Sequence, residues 1–139
     1  MQNLGKVNEA VIPVYPLVPN PYTLLTQVSG SAQYFSILDC KDEFFCIPLH
    51  PDSQYLFAFE WRDPNTLDAT QYTRTVLPQG FRDSLHVFGK ALARELRELI
   101  LEKRTLLQYV DDLLTISETK QDSDQSTVRV LNFFSQKGI

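Results

Sequence analysis

Residues 105–117 constrain the fold more than any other part of the chain, because they place two adjacent aspartates between two short apolar runs. Two such runs joined by two turn-forming residues are typical of a β-hairpin. We therefore predict a hairpin with Asp111 and Asp112 at its turn. An ordinary hairpin favours Asn-Gly or Asp-Gly there, and adjacent carboxylates repel each other beside apolar strands. A bound divalent cation would relieve that repulsion.

A third aspartate, Asp39, ends the apolar and β-prone run Tyr34–Asp39, which predicts a strand. If this strand lies beside the hairpin, three carboxylates meet at one edge of a sheet. Mg²⁺ prefers carboxylate and water oxygens, and two such ions can assist the attacking and leaving oxygens in phosphoryl transfer. The plain alternative is that Asp111 and Asp112 form a solvated turn without a ligand.

The sequence of the first half of the chain predicts an extended connector followed by strands. Four prolines within residues 11–22 predict an extended connector, and a short helix is expected near Leu24, ending by Gly30. Residues 54–61 and 71–76 are expected to be strands, separated by turn residues at 63–65.

Two helices are expected in the second half. The first begins near Asp83 or Ser84, both good N-cap residues. Its apolar face repeats at steps of three and four, at Leu85, Phe88, Leu92, Leu96 and Leu99. The last helix covers residues 122–137 and stops at Gly138, with Val128, Leu131 and Phe134 on one side. The order of elements predicts an α+β fold in which helices cover one face of an antiparallel sheet.

Composition limits the partners and the compartment. A formal net charge of −4 argues against strong autonomous binding of nucleic acid, whose phosphates are held by Lys and Arg. The two cysteines, Cys40 and Cys46, match no common zinc spacing, and we expect reduced, buried thiols. No apolar run reaches the ~20 residues that span a bilayer, and no signal-peptide core opens the chain. We expect an intracellular protein, cytoplasmic by default, that is neither secreted nor membrane-bound.

Four segments, in order, resemble those of retroviral reverse transcriptases. Residues 109–112 (YVDD) and 77–81 (LPQGF) match two boxes of that family. Residues 18–25 resemble its VPNPYNLL stretch, and residues 35–50 resemble the strand that carries its first catalytic aspartate. The resemblance covers essentially the whole chain. It is closest in detail to gammaretroviruses and to the endogenous retroviruses related to them.

The resemblance implies roles for particular residues. Asp39, Asp111 and Asp112 match the catalytic, metal-binding aspartates, which would hold Mg²⁺, with Mn²⁺ as the alternative. Phe44 matches the ring that excludes a 2′-hydroxyl by leaving no room for it, and Gln79 matches a contact near the 3′-hydroxyl. The implied nucleotide-binding set is Asp42, Glu43, Phe44, Gln79 and Tyr109. Without the resemblance, we would interpret Phe44 as an ordinary aromatic residue of the core and Gln79 as an ordinary loop glutamine.

The same resemblance implies an architecture and partners. Residues 1–33 would be a remnant of the fingers with a connector, and residues 34–139 mainly the palm with some fingers. The thumb, the connection and the ribonuclease H domain would lie outside this single partial domain. The implied partners are an RNA or DNA template-primer and deoxynucleoside triphosphates, with weak nucleic-acid binding by this chain and no membrane.

The chain also departs from the family pattern. Glu43 stands where a small residue is expected, and an added anion beside a triphosphate is unfavourable. Other departures are Asn3, Gly5, Arg74 and Leu85. Three functions therefore compete: a reverse transcriptase, a catalytically inactive endogenous remnant that binds protein or RNA, and a different two-metal enzyme such as a nuclease. We expect the isolated chain to be nearly inactive as a polymerase.

Overall fold

The computed structural model describes residues 2–15, 18–99, 101 and 105–139. The part of the predicted connector at residues 16 and 17 lies outside the described residues. The strands are β1 (Tyr34–Asp39), β2 (Phe59–Arg62), β3 (Ala69–Tyr72), β4 (Thr105–Tyr109) and β5 (Asp112–Ser117). The helices are α1 (Gly5–Ala10), α2 (Pro21–Leu25), α3 (Pro51–Gln54), α4 (Ser84–Leu96) and α5 (Lys120–Lys137), with 3-10 turns at Glu43–Cys46 and Tyr55–Phe57.

The main sheet is antiparallel, with β5 at its centre between β1 and β4. Successive side chains in a strand point to opposite faces, so the register assigns each residue to a side. Leu113 pairs with Leu38 and Gln108 on one face. Asp112 pairs with Asp39 and Tyr109 on the other face. The predicted strand β1 and the predicted hairpin are therefore neighbours.

The core lies on the face of the sheet that α4 and α5 cover. Phe88, Leu92, Leu113, Val130 and Phe134 form one buried cluster from both helices and the central strand. Each such side chain contributes about 1.5–3 kcal/mol by leaving water. The α+β fold with helices packed on an antiparallel sheet is confirmed. The division at residue 33 into fingers and palm stays a prediction.

The predicted helix faces are partly wrong. In α4, Phe88 and Leu92 are buried as expected, but Leu85 is 49% exposed. In α5, Val128 and Leu131 are exposed. Its buried line instead consists of Ser123, Ser126, Val130 and Phe134. Small serines at these positions let the helix approach the sheet closely, and Ser123 lies within hydrogen-bond distance of Ser36 on β1.

Helix ends follow capping chemistry at α5 but not at α4. Thr119 accepts a hydrogen bond from the Asp122 amide, and Gly138 ends α5 with φ 72, as predicted for a left-handed C-terminal glycine. Asp83 occupies the N-cap of α4, yet its side chain makes no capping bond among the described residues. The predicted start of α4 is confirmed, but the Asp83 side chain does not cap it, because its Oδ1 is buried away from the helix amides.

The predicted strands around residues 54–76 are shorter than expected. Residues 51–57 form a helical turn because Pro51 fills the first helical position and His50 accepts the amide of Asp52. β3 is Ala69–Tyr72, and Val76 forms only an isolated bridge with Pro48. The turn at residues 63–65 is confirmed, since Asp63 accepts the Asn65 amide at 2.7 Å.

An ion cluster joins the ends of α4 and α5. The Lys137 ammonium lies 2.8 Å from Glu95 and 2.6 Å from Glu98. Hydrogen bonding to Lys137 lowers the pKa of the Glu95 carboxyl, and the carboxylates raise the pKa of Lys137.

Candidate functional site

Asp39 and Asp112 lie directly opposite each other across β1 and β5. Cross-strand partners project from the same face, with Cβ atoms about 4.5–5.5 Å apart. Both residues are exposed, so water and ligands can reach their carboxyl groups. Tyr109 is the partner of Asp112 on the other side. The pairing places Asp39 beside the hairpin, and the convergence of the three carboxyl groups stays a prediction.

The hairpin turn is shifted by one residue from the prediction. Asp112 is the first residue of β5 and pairs with Tyr109, so the two loop residues are Val110 and Asp111. Val110 has a φ of 58, while Asp111 has no positive φ. Positive φ at the first loop residue alone is typical of a type II′ turn. A β-branched residue there is strained by about 1–3 kcal/mol.

Gln108 holds this strained turn. Its side-chain Nε2 donates to the Val110 carbonyl at 2.9 Å and to the Gly89 carbonyl of α4 at 3.1 Å. One amide thus ties the turn that carries Asp111 to the helix beneath the sheet. Our sequence interpretation missed this residue. The available signal was a polar glutamine inside an apolar run; in the register of β4 and β5, Gln108 lies on the same face as the buried Leu113.

The Cys40 thiol reports on the charges around it. Burial is the largest cause, followed by the carboxylates of Glu43, Asp39 and Asp111, and together they raise the pKa of the thiol to about 11. Three acidic side chains thus act on one point just beyond β1. A neutral, half-buried Cys40 is the expected state at physiological pH.

The carboxylates do not form a closed cage as they stand. Within residues 2–15, 18–99, 101 and 105–139, no group of three or more His, Cys, Asp or Glu side chains is close enough to hold a metal ion. The donor chemistry nevertheless fits Mg²⁺ or Mn²⁺, since Asp39 and Asp112 offer hard oxygens on one face and Asp111 lies at the adjoining turn.

Gln79 lies exposed on a loop whose flanks are tightly held. Leu77 and Pro78 are buried, and the Pro78 carbonyl accepts a hydrogen bond from the Ser84 hydroxyl at 2.9 Å. Gly80 follows with φ 86, a backbone conformation suited to glycine. The buried residues Leu77 and Pro78 therefore anchor the chain immediately before the exposed Gln79 side chain.

Phe44 packs on the core. Its ring lies edge-on to Phe88, with centroids 6.1 Å apart, and it is half-buried. Asp42, with φ 54, turns the chain before the short helix that starts at Glu43. The contact with Phe88 holds the Phe44 ring in place. The prediction that Phe44 and Gln79 face one cavity with the aspartates stays a prediction.

An antiparallel sheet backed by two helices, with acidic residues at the ends of two adjacent strands and on a hairpin, defines a palm-type polymerase domain. A protein-family model described as "Reverse transcriptase (RNA-dependent DNA polymerase)" matches residues 2–139. The chain belongs to the reverse transcriptase family, and it is of the retroviral Pol type.

The relatives agree with this assignment. The chain is 46% identical to the Gag-Pol polyprotein of Koala retrovirus over 140 residues, covering 99% of this chain and 8% of that protein. It is also 46% identical to the Pol polyprotein of Feline endogenous virus ECE1, where it covers 99% of this chain and 13% of that protein. The chain thus spans about a tenth of the length of these curated relatives.

A solved structure shows the same fold. The protease-reverse transcriptase of Prototype Foamy Virus matches with a TM-score of 0.72 at 25% identity, over 97% of this chain and 17% of that one. In the part of the chain that the structure describes, no helix combines the length and apolar character needed to cross a bilayer.

Proposed function

We propose that Asp39, Asp111 and Asp112 form the metal-binding centre of an RNA-directed DNA polymerase. The observation that carries the proposal is the pairing of Asp39 with Asp112 across β1 and β5, beside the turn that holds Asp111. In the proposed reaction, the primer 3′-oxygen attacks the α-phosphorus of a deoxynucleoside triphosphate and pyrophosphate leaves. The template-primer is RNA or DNA.

The aspartates supply the oxygen ligands for this reaction. Bound Mg²⁺, or Mn²⁺ in its place, supplies positive charge that offsets the developing charge on the phosphate oxygens. The carboxylates are accessible at the sheet edge, and Gln108 fixes the turn of Asp111 through the Val110 carbonyl. A fixed turn matters because phosphoryl transfer is catalysed chiefly by positioning and charge stabilisation.

The remaining residues of the proposed site handle the nucleotide. Gln79 contacts the nucleotide near its 3′-hydroxyl from an exposed, well-anchored loop. Phe44, braced by Phe88, excludes a 2′-hydroxyl, and Tyr109 lies next to Asp112 on the same face. The backbone around Asp42 and Glu43 lies near the triphosphate.

We further propose that the 139 residues alone polymerise little or not at all. Their net charge is −4, so long-range attraction to a nucleic-acid backbone is weak. Glu43 acts on the same thiol as Asp39 and Asp111, and its carboxylate adds repulsion against a triphosphate. This also favours the second candidate, a catalytically inactive remnant of an endogenous retrovirus that binds protein or RNA.

A primer-extension assay on the purified chain tests these proposals. The mixture contains template-primer, deoxynucleoside triphosphates and Mg²⁺ or Mn²⁺, with Asp111→Asn as the control. Little or no extension by the wild type agrees with the weak activity proposed here. Robust extension that disappears in Asp111→Asn would support the catalytic centre and contradict the proposed inactivity. Extension that persists in Asp111→Asn would contradict the assignment of the centre.

A further inference from the structure

Helix α1 reaches across the chain to the loop that carries Gln79. The Asn8 side-chain Nδ2 donates to the Gly80 carbonyl at 2.9 Å, and its Oδ1 accepts the Arg82 amide at 2.9 Å. The Arg82 guanidinium donates in turn to the Asn8 carbonyl at 2.7 Å. These bonds join residues 72 and 74 positions apart. We call this set of three bonds the Asn8 clamp.

The clamp uses the distinctive chemistry of a carboxamide. A carboxamide carries a donor and an acceptor side by side, so it can bond a carbonyl and an amide that lie two residues apart. Gly80 and Arg82 supply these two groups, while Phe81 between them packs edge-on against Phe57, with centroids 5.2 Å apart. The loop is therefore held from two sides, by a hydrogen-bonded clamp and by an aromatic contact.

The held segment begins immediately after Gln79. Gly80 has φ 86, and glycine readily populates several backbone regions, so without a restraint the loop would sample other conformations. The Ser84 hydroxyl anchors the other side by bonding Pro78. The exposed Gln79 side chain thus stands between a residue fixed by Ser84 and a residue fixed by Asn8.

We infer that Asn8 is a positioning residue that fixes Gln79 for contact with the incoming nucleotide. The inference rests on the proposed nucleotide role of Gln79. Its consequence is that residues 2–15, which carry no group of the proposed centre, contribute to nucleotide affinity. The effect acts through the loop rather than by touching the ligand.

The clamp has a direct reporter, because the Arg82 amide is itself one of the bonded groups. Amide hydrogen exchange of ¹⁵N-labelled protein follows that group by NMR. Loss of both side-chain bonds in Asn8→Ala should accelerate exchange at Arg82 about tenfold or more. Asn8→Asp keeps the acceptor for Arg82 and loses the donor to Gly80, so exchange at Arg82 should stay close to wild type.

Asn3→Ala is the matched control. Asn3 lies on the same N-terminal segment, and within the described part of the chain its side chain bonds the nearby Gly5 amide. If α1 merely needs its side-chain bonds to fold, both alanine variants accelerate exchange at Arg82 equally, which would overturn the clamp. Acceleration confined to Asn8→Ala supports it.

Nucleotide binding then tests the positioning role. Titration with dATP and Mg²⁺, followed by the Gln79 side-chain amide signal, should show three- to tenfold weaker binding in Asn8→Ala than in Asn3→Ala or wild type. In Gln79→Ala, followed by backbone amide signals, the further change Asn8→Ala should have almost no effect, because the clamp acts through Gln79. A general loss of structure would instead weaken binding in both backgrounds.

The outcomes separate the inference from the proposed function. If Gln79→Ala weakens binding but Asn8→Ala does not, the positioning role is wrong and the nucleotide role of Gln79 stands. If Gln79→Ala has no effect on binding, or wild type shows no saturable shift with dATP, the proposed function fails at this residue. The exchange rates at Arg82 would still report whether the clamp exists.

Discussion

Gln108→Leu should loosen the hairpin turn without emptying the space that Gln108 fills. Leucine keeps a similar volume but removes the bonds to the Val110 and Gly89 carbonyls. Each hydrogen bond contributes about 0.5–1.5 kcal/mol, so the variant should lose about 1–3 kcal/mol of unfolding free energy. The turn can then relax, so that Val110 leaves its positive φ. The release of this backbone strain offsets part of the lost unfolding free energy.

Relaxation predicts a coupling with Val110→Gly. Glycine accepts a φ of 58 without strain, so a glycine turn needs less restraint. Gln108→Leu should therefore cost about 1 kcal/mol less in the Val110→Gly background than in wild type, and a double-mutant cycle measures this coupling. Urea unfolding measures the unfolding free energies. The slope of free energy against urea concentration must be equal for the wild type, the two single variants and the double variant.

Gln71→Leu is the matched control, since Gln71 lies exposed on β3, away from the hairpin. It should change the unfolding free energy by no more than about 0.5 kcal/mol. If Gln108→Leu is no more destabilising than this control, Gln108 does not hold the turn and the reasoning is refuted. An additive cycle would show that the bonds exist but do not restrain Val110.

Three further predictions concern stability and charge. Thr115→Val should stabilise the protein by about 1 kcal/mol in thermal unfolding, because the fully buried Thr115 hydroxyl finds no partner among the described residues; a destabilised variant would contradict this. The bond between Glu95 and Lys137 should stabilise fully above the ordinary pKa of Glu95 and be lost as pH falls through its lowered, folded-state pKa. Glu95→Gln should therefore flatten the acid limb of the stability profile, and an unchanged limb would contradict the pairing. Glu43→Ala should strengthen dATP binding in equilibrium titration by removing a carboxylate near the proposed site, and weaker binding would contradict this placement.

The strand and hairpin were predictable because their signals are local. Six consecutive residues of β1 carry enough apolar and β-prone side chains to determine both its ends, and the turn residues between β4 and β5 mark the hairpin. The one-residue shift at the turn was not predictable from composition, since Val110 is a poor choice for positive φ. The Gln108 side chain stabilises this strained turn through its hydrogen bond to the Val110 carbonyl.

Long-range packing explains what the sequence could not show. The apolar residues Val128 and Leu131 suggested one face of α5, yet the sheet buries Ser123 and Ser126 instead. Close approach to the sheet, not hydropathy, selects that face. The Asn8 clamp is likewise invisible in sequence, because its partners lie more than 70 positions away.

Binding of Mn²⁺, measured by electron paramagnetic resonance on the purified chain, tests the central claim most directly. Wild type should show saturable binding, and Asp39→Asn, Asp111→Asn and Asp112→Asn should each weaken it by tenfold or more, since each removes one anionic ligand. Asp124→Asn, at an exposed position of α5, should bind as the wild type does. If the three aspartate variants retain wild-type affinity, the edge formed by β1 and the hairpin is not the metal centre.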